Sequence, residues 1–341
     1  MASETGAKPR RIRNISELAK LAGVSAGTVS RALAGKTFVN IDTRERIQAL
    51  AREHGFRPNQ MASRLRTGHT GVIGVIMSRG LEQGRRLADP FAVSLLGHLA
   101  DELGANGFDV TLNNAQTDEE DWLERIVDSG MQDGLLMIGQ FTHFDAIERV
   151  ARDYRPLVVW GVRRDNQTHC TVGVDNVAGG RMAATHLLER GCKRIAFIGD
   201  LRGLEMQHRA AGATEAVAAA GAPSVEILQI SPAGGAMAPQ IAAHLAQMDP
   251  AIDGIFASTD VVAMATLRQL HETGRTVPDD VAVIGFDDLP LAMHTVPQLT
   301  TVRQDLAAGA KAMVERLVAR INGEEASPLV LKPELMVRES A

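Results

Sequence analysis

The pattern of apolar positions changes character near residue 70. Before it, apolar residues recur at helical spacing: Ile15, Leu18, Ala19 and Ala22, then Val29 and Leu33, then Ile47, Leu50 and Ala51. Gly23 and Gly55 break two of these stretches. Ser16, Ser25 and Thr43 are the predicted N-caps of three short helices. Two such helices joined by a tight glycine turn predict a helix-turn-helix.

After residue 70 the apolar residues come in short unbroken runs rich in β-branched side chains: "GVIGVIM" (71–77), "FDVTLNN", "GLLMIG", "PLVVWG", "TVGVD", "RIAFIGD", "VEILQI", "GIFAST" and "VAVIGFDD". Helical segments are expected between them, near 92–106, 119–129, 143–153, 177–190, 206–220, 236–248, 261–273 and 306–322. Continuous apolar strands alternating with helices read as parallel sheets buried on both faces. About ten strands are too many for one sheet of this kind, so the expected fold is an all-α helix-turn-helix head (1–57), a hinge helix and linker (58–70), and an α/β core (71–341) of two parallel-sheet subdomains.

Charge sharpens this division. The 341 residues carry a net −5, yet residues 1–70 hold 13 Lys+Arg against 5 Asp+Glu, so the head is +8 and the remainder −13. A basic head on an acidic body points to a polyanion-binding module joined to something else, with Arg31, Arg44, Arg46, Arg57, Arg64 and Arg66 as candidate phosphate contacts. Composition is ordinary for a globular protein, at 45% hydrophobic and 23% charged. No apolar run is long enough for a membrane helix, and the polar start "MASETGAKPRRIRN" lacks a secretory h-region. The two cysteines, Cys170 and Cys192, give no disulfide framework. These features predict free core thiols and a cytoplasmic protein without membrane contact.

"ISELAKLAGVSAGTVSRALAG" followed by "TRERIQALAREHGFRPNQMASRLRTG" resembles the DNA-binding head and hinge of the lactose/galactose repressor family, through the A-G-V-S turn, the T-V-S-R recognition helix and the R-P-N-x-x-A-x-x-L hinge. The resemblance implies that Ala26 and Gly27, with Ser25, Thr28, Ser30 and Arg31 around them, face the bases of double-stranded operator DNA, and that Ser16 also contacts it. Ala26 can touch a thymine methyl; Gly27 has no side chain, where other members carry long polar groups, which shifts readout toward Arg31 and the hinge. Asn59, Ala62 and Leu65 belong to the hinge, which in this family folds on operator DNA as an antiparallel pair. Ala62 permits close pairing, and Leu65 is the implied wedge between base pairs of the minor groove.

In open α/β sheets, ligands bind beyond the carboxyl ends of the strands. The polar residues that follow the apolar runs are therefore informative: "DP" (89–90), the stretch from Asp200 to Arg209, Thr259-Asp260, Asp287-Asp288 and Gln304. Asp260 is expected to be an N-cap and Asp287 a ligand group. "ADPF", "GVDNVAGGRMAATHLLERGCKRIAFIGD", "STDVVAMATLRQL", "VAVIGFDDLPLA" and "PQLTTVRQDL" resemble the core of the same family and, through it, the periplasmic sugar-binding proteins. The implied effector contacts are Asp89, Phe91, Arg209, Thr259, Asp287 and Gln304, a set suited to a polyol: carboxylates accept hydroxyls, a guanidinium donates in a fork, and a ring covers a sugar face. Two positions depart from the pattern, Ser231 in place of an aromatic residue and Glu205 in place of a small polar one; Trp160 is the candidate replacement stacking surface.

No P-loop, G-x-S-x-G, H-E-x-x-H or G-x-G-x-x-G spacing is present, and the ten histidines are scattered. No catalytic residue, metal or cofactor is expected. The reading is a transcriptional regulator, most simply a repressor, working as a homodimer controlled by a small-molecule effector of the sugar class. Two other readings are a solute-binding protein of a transporter, which leaves the basic head unexplained, and a sugar-acting enzyme, which lacks a catalytic constellation.

Overall fold

The computed structural model describes residues 12–33, 39–56, 69–77, 89–114, 119–140, 143–231 and 237–341. Asn59, Ala62 and Leu65 lie outside the described residues. The chain divides into two compact units between Thr70 and Gly71.

The first unit holds α1 (Ile15–Ala22), α2 (Ala26–Leu33) and α3 (Ile41–Glu53). Leu18, Val29, Ala32 and Ile47 are fully buried and pack with Val39, Ala51 and Phe56 into a small core. Gly23 takes the left-handed conformation (φ 65°) that closes α1, where a side chain would be strained. Ser25 caps α2 as expected, accepting from the Thr28 N–H at 3.1 Å. The other two caps are corrected. Asn14, not Ser16, accepts from the Glu17 N–H at 2.9 Å, and Asn40, not Thr43, accepts from the Asp42 N–H at 2.9 Å. Asparagine is as good a cap as serine, and in both cases the helix simply starts earlier.

The second unit contains two six-stranded sheets. Sheet A uses β1 (Val72–Met77), β2 (Asp109–Asn114), β3 (Gly134–Ile138), β4 (Leu157–Trp160), β5 (Cys170–Val174) and β11 (Leu329–Leu331), in the order β11-β5-β4-β3-β1-β2. Sheet B uses β6 (Ile195–Gly199), β7 (Glu226–Gln229), β8 (Gly254–Ala257), β9 (Ala282–Asp287), β10 (Thr300–Arg303) and β12 (Glu334–Met336), in the order β12-β10-β9-β8-β6-β7. All pairings are parallel except β10 with β12. Both β11 and β12 escape the sequence reading. Each has three residues, none fully buried, so neither shows the continuous apolar run that marks the central strands.

The helices are α4 (Pro90–Ala105), α5 (Trp122–Asp128), α6 (Phe144–Ala151), α7 (Asn176–Glu189), α8 (Leu204–Ala219), α9 (Met237–Gln247), α10 (Asp260–Glu272) and α11 (Leu306–Ile321). The chain leaves sheet A after β5, builds β6–β10 of sheet B, returns through α11 to β11, and crosses again to β12. Leu95, Leu99 and Leu103 of α4 and Met313 and Leu317 of α11 bury one face of sheet A. Helices α7 and α8 bury one face of sheet B with Ala183, Leu187, Ala213 and Val217 around Phe197, Phe256 and Phe286.

The glycine pair Gly179-Gly180 has a packing role. A side chain at Gly180 would collide with the Arg209 carbonyl, one at Gly212 with the Val177 carbonyl, and one at Gly179 with the Phe286 ring. These three positions let α7 and α8 lie backbone to backbone on the end of sheet B and place Arg209 beside the tip of β9.

Candidate DNA-reading surface and effector site

On the head, Ser16, Ser25, Ala26, Gly27 and Arg31 are exposed, while Thr28 and Ser30 are half-buried. The Ser25 and Thr28 hydroxyls bond each other at 2.9 Å at the start of α2. A Cβ at Gly27 would meet only the Ser25 Oγ, at 3.7 Å, so the fold does not require glycine there. Arg46, a candidate phosphate contact in the sequence, donates instead to the Ala22 carbonyl at 3.0 Å and ties α3 to the end of α1.

In the core, the carboxyl ends of the sheet B strands carry a buried polar constellation. Arg209 is 3% exposed. Its Nε donates to Asn176 Oδ1 at 2.8 Å and its Nη1 to the Ser258 carbonyl at 2.5 Å. Its guanidinium lies over the Phe286 ring, 3.6 Å from the centroid, a desolvated cation–π contact. Nη1 stands 3.7 Å from Asp287 Oδ1, and that same oxygen accepts from Gln304 Nε2 at 2.7 Å. Asp287 is held at φ 122°, a conformation side chains rarely adopt. Such strain persists only where the surroundings over-determine it, and it is common at binding sites. The neighbouring Asp288 is structural: its two oxygens accept from Arg303 Nε at 2.8 Å and Arg338 Nη2 at 2.5 Å.

The electrostatics follow from burial. Burial raises the Asp287 carboxyl well above the usual range; Arg209 opposes this, and the Asp260 and Asp89 carboxylates add to it. Asp89, at the end of sheet A, therefore sits close enough to Asp287 to be felt. Asp260 is not an N-cap, correcting the sequence reading. Thr259 is the cap of α10, accepting from the Val262 N–H at 3.3 Å. Asp260 is fully buried and accepts from Thr301 Oγ1 at 2.5 Å and the Leu289 N–H at 2.7 Å. Burial pushes its carboxyl up to about 7. Arg209 thus stands among the carboxylates of Asp287, Glu205 and Asp260, an arrangement in which one guanidinium cannot keep every neighbouring acid ionised.

Sheet A contributes a different surface. Asp89 caps α4 by accepting from the Ala92 N–H at 3.1 Å. The Phe91 ring is half-buried and tilted against Trp160, with centroids 6.0 Å apart. Trp160 is 5% exposed, and a side chain at Gly309 would collide with its ring. Its ring is thus engaged by α11 and Phe91. Glu205, on the first turn of α8, reaches the loop after β4 and accepts from the Val162 N–H at 3.4 Å. Gln140 holds the same loop by donating to the Val162 carbonyl at 2.5 Å, and His169 Nε2 bonds Gln140 Oε1 at 2.8 Å. His169 Nδ1 in turn meets Glu148 Oε1 at 2.5 Å.

The structure thus brings Arg209, Asp287 and Gln304 into direct contact and pairs Phe91 with Trp160. Glu205 touches the sheet A loop, and Asp89 approaches through its field. Thr259 adjoins Ser258, whose carbonyl receives Arg209, and its own hydroxyl caps α10. The sequence reading missed Asn176, Ser258, Phe286 and the Gln140–His169 pair. Asn176 was visible as the polar residue after "GVD", but it reads as a helix start until Arg209, 33 residues later, is seen to bond it. Among the described residues no cluster of His, Cys, Asp and Glu could hold a metal, and no helix is long and apolar enough to cross a membrane. Cys170 and Cys192 are free thiols whose pKa is raised by burial, that of Cys192 to about 11.

The chain is similar to known proteins along nearly its whole length. Residues 14–59 match the lacI family of bacterial regulatory proteins, and residues 184–341 match the periplasmic binding protein-like domain. The HTH-type transcriptional regulator CelR of Thermobifida fusca is 34% identical, over 97% of this chain and 99% of its own. The solved transcriptional regulator CelR–cellobiose complex is 31% identical, with a TM-score of 0.69 over 97% of this chain and 100% of that one. The lac repressor dimer bound to operator and the anti-inducer ONPF shares the fold at 22% identity, with a TM-score of 0.84 over 98% of this chain and 99% of that one. The chain belongs to the lacI family of bacterial regulatory proteins, transcriptional regulators that join a helix-turn-helix head to a periplasmic binding protein-like core.

Proposed function

We propose that this regulator is a repressor whose hold on operator DNA is controlled by a sugar or close sugar derivative bound between the two sheets of its core. The observation that carries the reading is the buried Arg209–Asp287–Gln304 group at the carboxyl ends of the sheet B strands. Its guanidinium and carboxylate are already oriented by Asn176, Ser258 and Phe286. Such groups donate to and accept from vicinal hydroxyls without rearranging. Asp89, Phe91, Glu205 and Thr259 complete the binding surface, and Trp160 backs Phe91 rather than stacking on the ligand itself. The cellobiose of the CelR complex belongs to the same chemical class.

On DNA, α2 enters the major groove with Ser25, Ala26, Gly27, Thr28, Ser30 and Arg31 toward the bases, and Ser16 contacts the backbone. The protein works as a homodimer in the cytoplasm, with Asn59, Ala62 and Leu65 forming the minor-groove hinge. Sugar binding changes the angle between the two sheets and releases the operator. The protein acts by binding and turns nothing over.

A thermal-shift panel of neutral mono- and disaccharides on the full chain tests this, because a ligand that binds only the folded state raises the melting temperature. At least one sugar is expected to raise it in the parent and not in Asp287→Ala. A sugar that stabilises both equally places the site elsewhere.

A further inference from the structure

The loop between β4 and β5 (161–169) is the part of sheet A that reaches Glu205. A buried histidine, His169, stands behind it. We propose that His169 is a positioning residue for the effector site: protonated on both ring nitrogens, it turns the Gln140 amide so that its NH2 holds the Val162 carbonyl, and so sets the Val162 N–H that faces Glu205. This rests on the effector site proposed above, of which the loop forms one wall.

The hydrogen bonds fix the role of each atom in turn. One end of the buried Gln140 amide lies 2.5 Å from the Val162 carbonyl. A carbonyl only accepts, so that end is the NH2. The other end is then the acceptor Oε1, and it lies 2.8 Å from His169 Nε2. Nε2 therefore carries a hydrogen. On the far side of the ring, Nδ1 lies 2.5 Å from Glu148 Oε1. The Glu148 carboxylate also accepts from the Thr168 N–H, at 2.9 and 3.0 Å, and from the His169 N–H at 3.2 Å. Burial raises the Glu148 carboxyl, but the bonds from His169 and these backbone N–H groups outweigh it and hold it below its usual range. Ionised, Glu148 can only accept, so Nδ1 carries a hydrogen as well. A neutral imidazole has one N–H, and both contacts together need the imidazolium. The packing closes the arrangement. A Cβ at Gly161 would stand 2.9 Å from the Gln140 amide carbon and nitrogen, so the loop backbone lies directly on the amide. The Phe144 ring meets His169 edge-on, with centroids 5.6 Å apart.

Loss of the Nε2 proton reverses the chain. The bare nitrogen then faces Gln140 Oε1, lone pair to lone pair. The amide turns over to donate to the ring, its oxygen meets the Val162 carbonyl, and the loop is released. Burial opposes the proton, Glu148 of α6 favours it, and Arg164 of the same loop and Arg320 of α11 oppose it; the balance lies below the ordinary 6.5. The arrangement that holds Val162 takes up a proton, so effector affinity falls as pH rises through that range.

The test uses full-length protein between about pH 5 and about pH 8. Nitrogen-15 NMR of the histidine rings reads protonation, and calorimetry reads affinity for the sugar found in the thermal-shift panel. His169→Gln is the informative variant, because its side-chain NH2 replaces the Nε2 donor toward Gln140 and does not titrate. At the acid end both ring nitrogens of His169 are expected to carry hydrogen, and the Val162 amide signal should shift with the same midpoint as the ring. Over the range, the sugar affinity of the parent should fall about tenfold further than that of His169→Gln. Comparing the two removes the titration of Asp260 and Asp287, which both proteins share. A single hydrogen on the ring at the acid end overturns the proposal, and this measurement on the parent decides even if His169→Gln fails to fold. An equal pH slope in the parent and His169→Gln overturns it too. A sugar that binds Asp287→Ala as tightly as the parent, with the His169→Gln difference intact, refutes the Asp287 site and leaves the role of His169 standing.

Discussion

The two halves of the core bring unlike chemistry to the same place. Sheet B ends its strands in polar groups: Arg209, Asp287, Gln304 and Asp260 are all buried, with Gln304 held to Asp287 and the other three each held by two partners from other elements. Sheet A ends its strands in rings and loops: Phe91 on Trp160, and a loop at Val162 steadied by Gln140 and His169. Charge must be fixed before a ligand arrives, because a buried ion without oriented partners is too costly to carry. Rings need only shape. In the proposed effector site sheet B is the polar anchor and sheet A the cover, so that hydrogen bonding and desolvation are divided between the two halves.

Breaking the anchor should have the largest effect. Arg209→Met removes the cation and leaves Asp287, Asn176 Oδ1 and the Ser258 carbonyl each buried without this donor, so the core should lose about 3–5 kcal/mol in urea unfolding. A loss under about 1 kcal/mol would show that the group is not pre-organised. Next comes the cover. Gly309→Ala pushes a methyl into the Trp160 ring, and overpacking of this kind costs about 1–3 kcal/mol. Because Trp160 supports Phe91, sugar affinity should fall with it, whereas Phe91→Leu should weaken sugar binding with a smaller effect on stability. Calorimetric titration separates the two variants.

The anchor should also show in pH dependence. The folded-state value of Asp260, about 7, lies above its ordinary 3.8. The folded protein therefore holds a proton that the unfolded chain releases, and stability falls as pH rises from about 4 through about 7. Asp260→Asn should flatten that slope in melting curves taken across the range; a parent that grows more stable from pH 5 to 7 contradicts the burial argument. The smallest effect belongs to the head. Gly27→Ala meets only the Ser25 Oγ, at an ordinary contact distance of 3.7 Å, and should stabilise α2 by about 0.5–1 kcal/mol, while changing base preference in a binding-site selection. An unchanged preference would remove position 27 from the reading surface.

How far the sequence could be read follows the same physics. Nine of the twelve described strands appear as apolar runs, β10 is hidden by its threonine-rich sequence, and the eight described core helices fall within a few residues of their expected bounds. Sheet-edge strands β11 and β12 carry too few buried positions to announce themselves. Caps were displaced because Asn14 and Asn40 compete equally with Ser16 and Thr43, and only geometry decides between them. Within the site, Asp287 and Arg209 were legible as polar residues after apolar runs. Their partners were not: Arg209 bonds residues 33 positions before it and 49 after it, pairings that no local pattern encodes. Asp260 was misjudged for the same reason, since its roles depend on Leu289 and Thr301.

The central claim is that occupancy of the Arg209–Asp287 anchor controls DNA binding by the head. Its most direct test is fluorescence anisotropy on an operator selected from random DNA by the protein itself, with and without the sugar found in the thermal-shift panel, for the parent and Asp287→Ala. The expected result is that both proteins bind the DNA equally well without sugar, and that sugar releases only the parent. If sugar releases Asp287→Ala as readily as the parent, the anchor does not control the head and the claim fails.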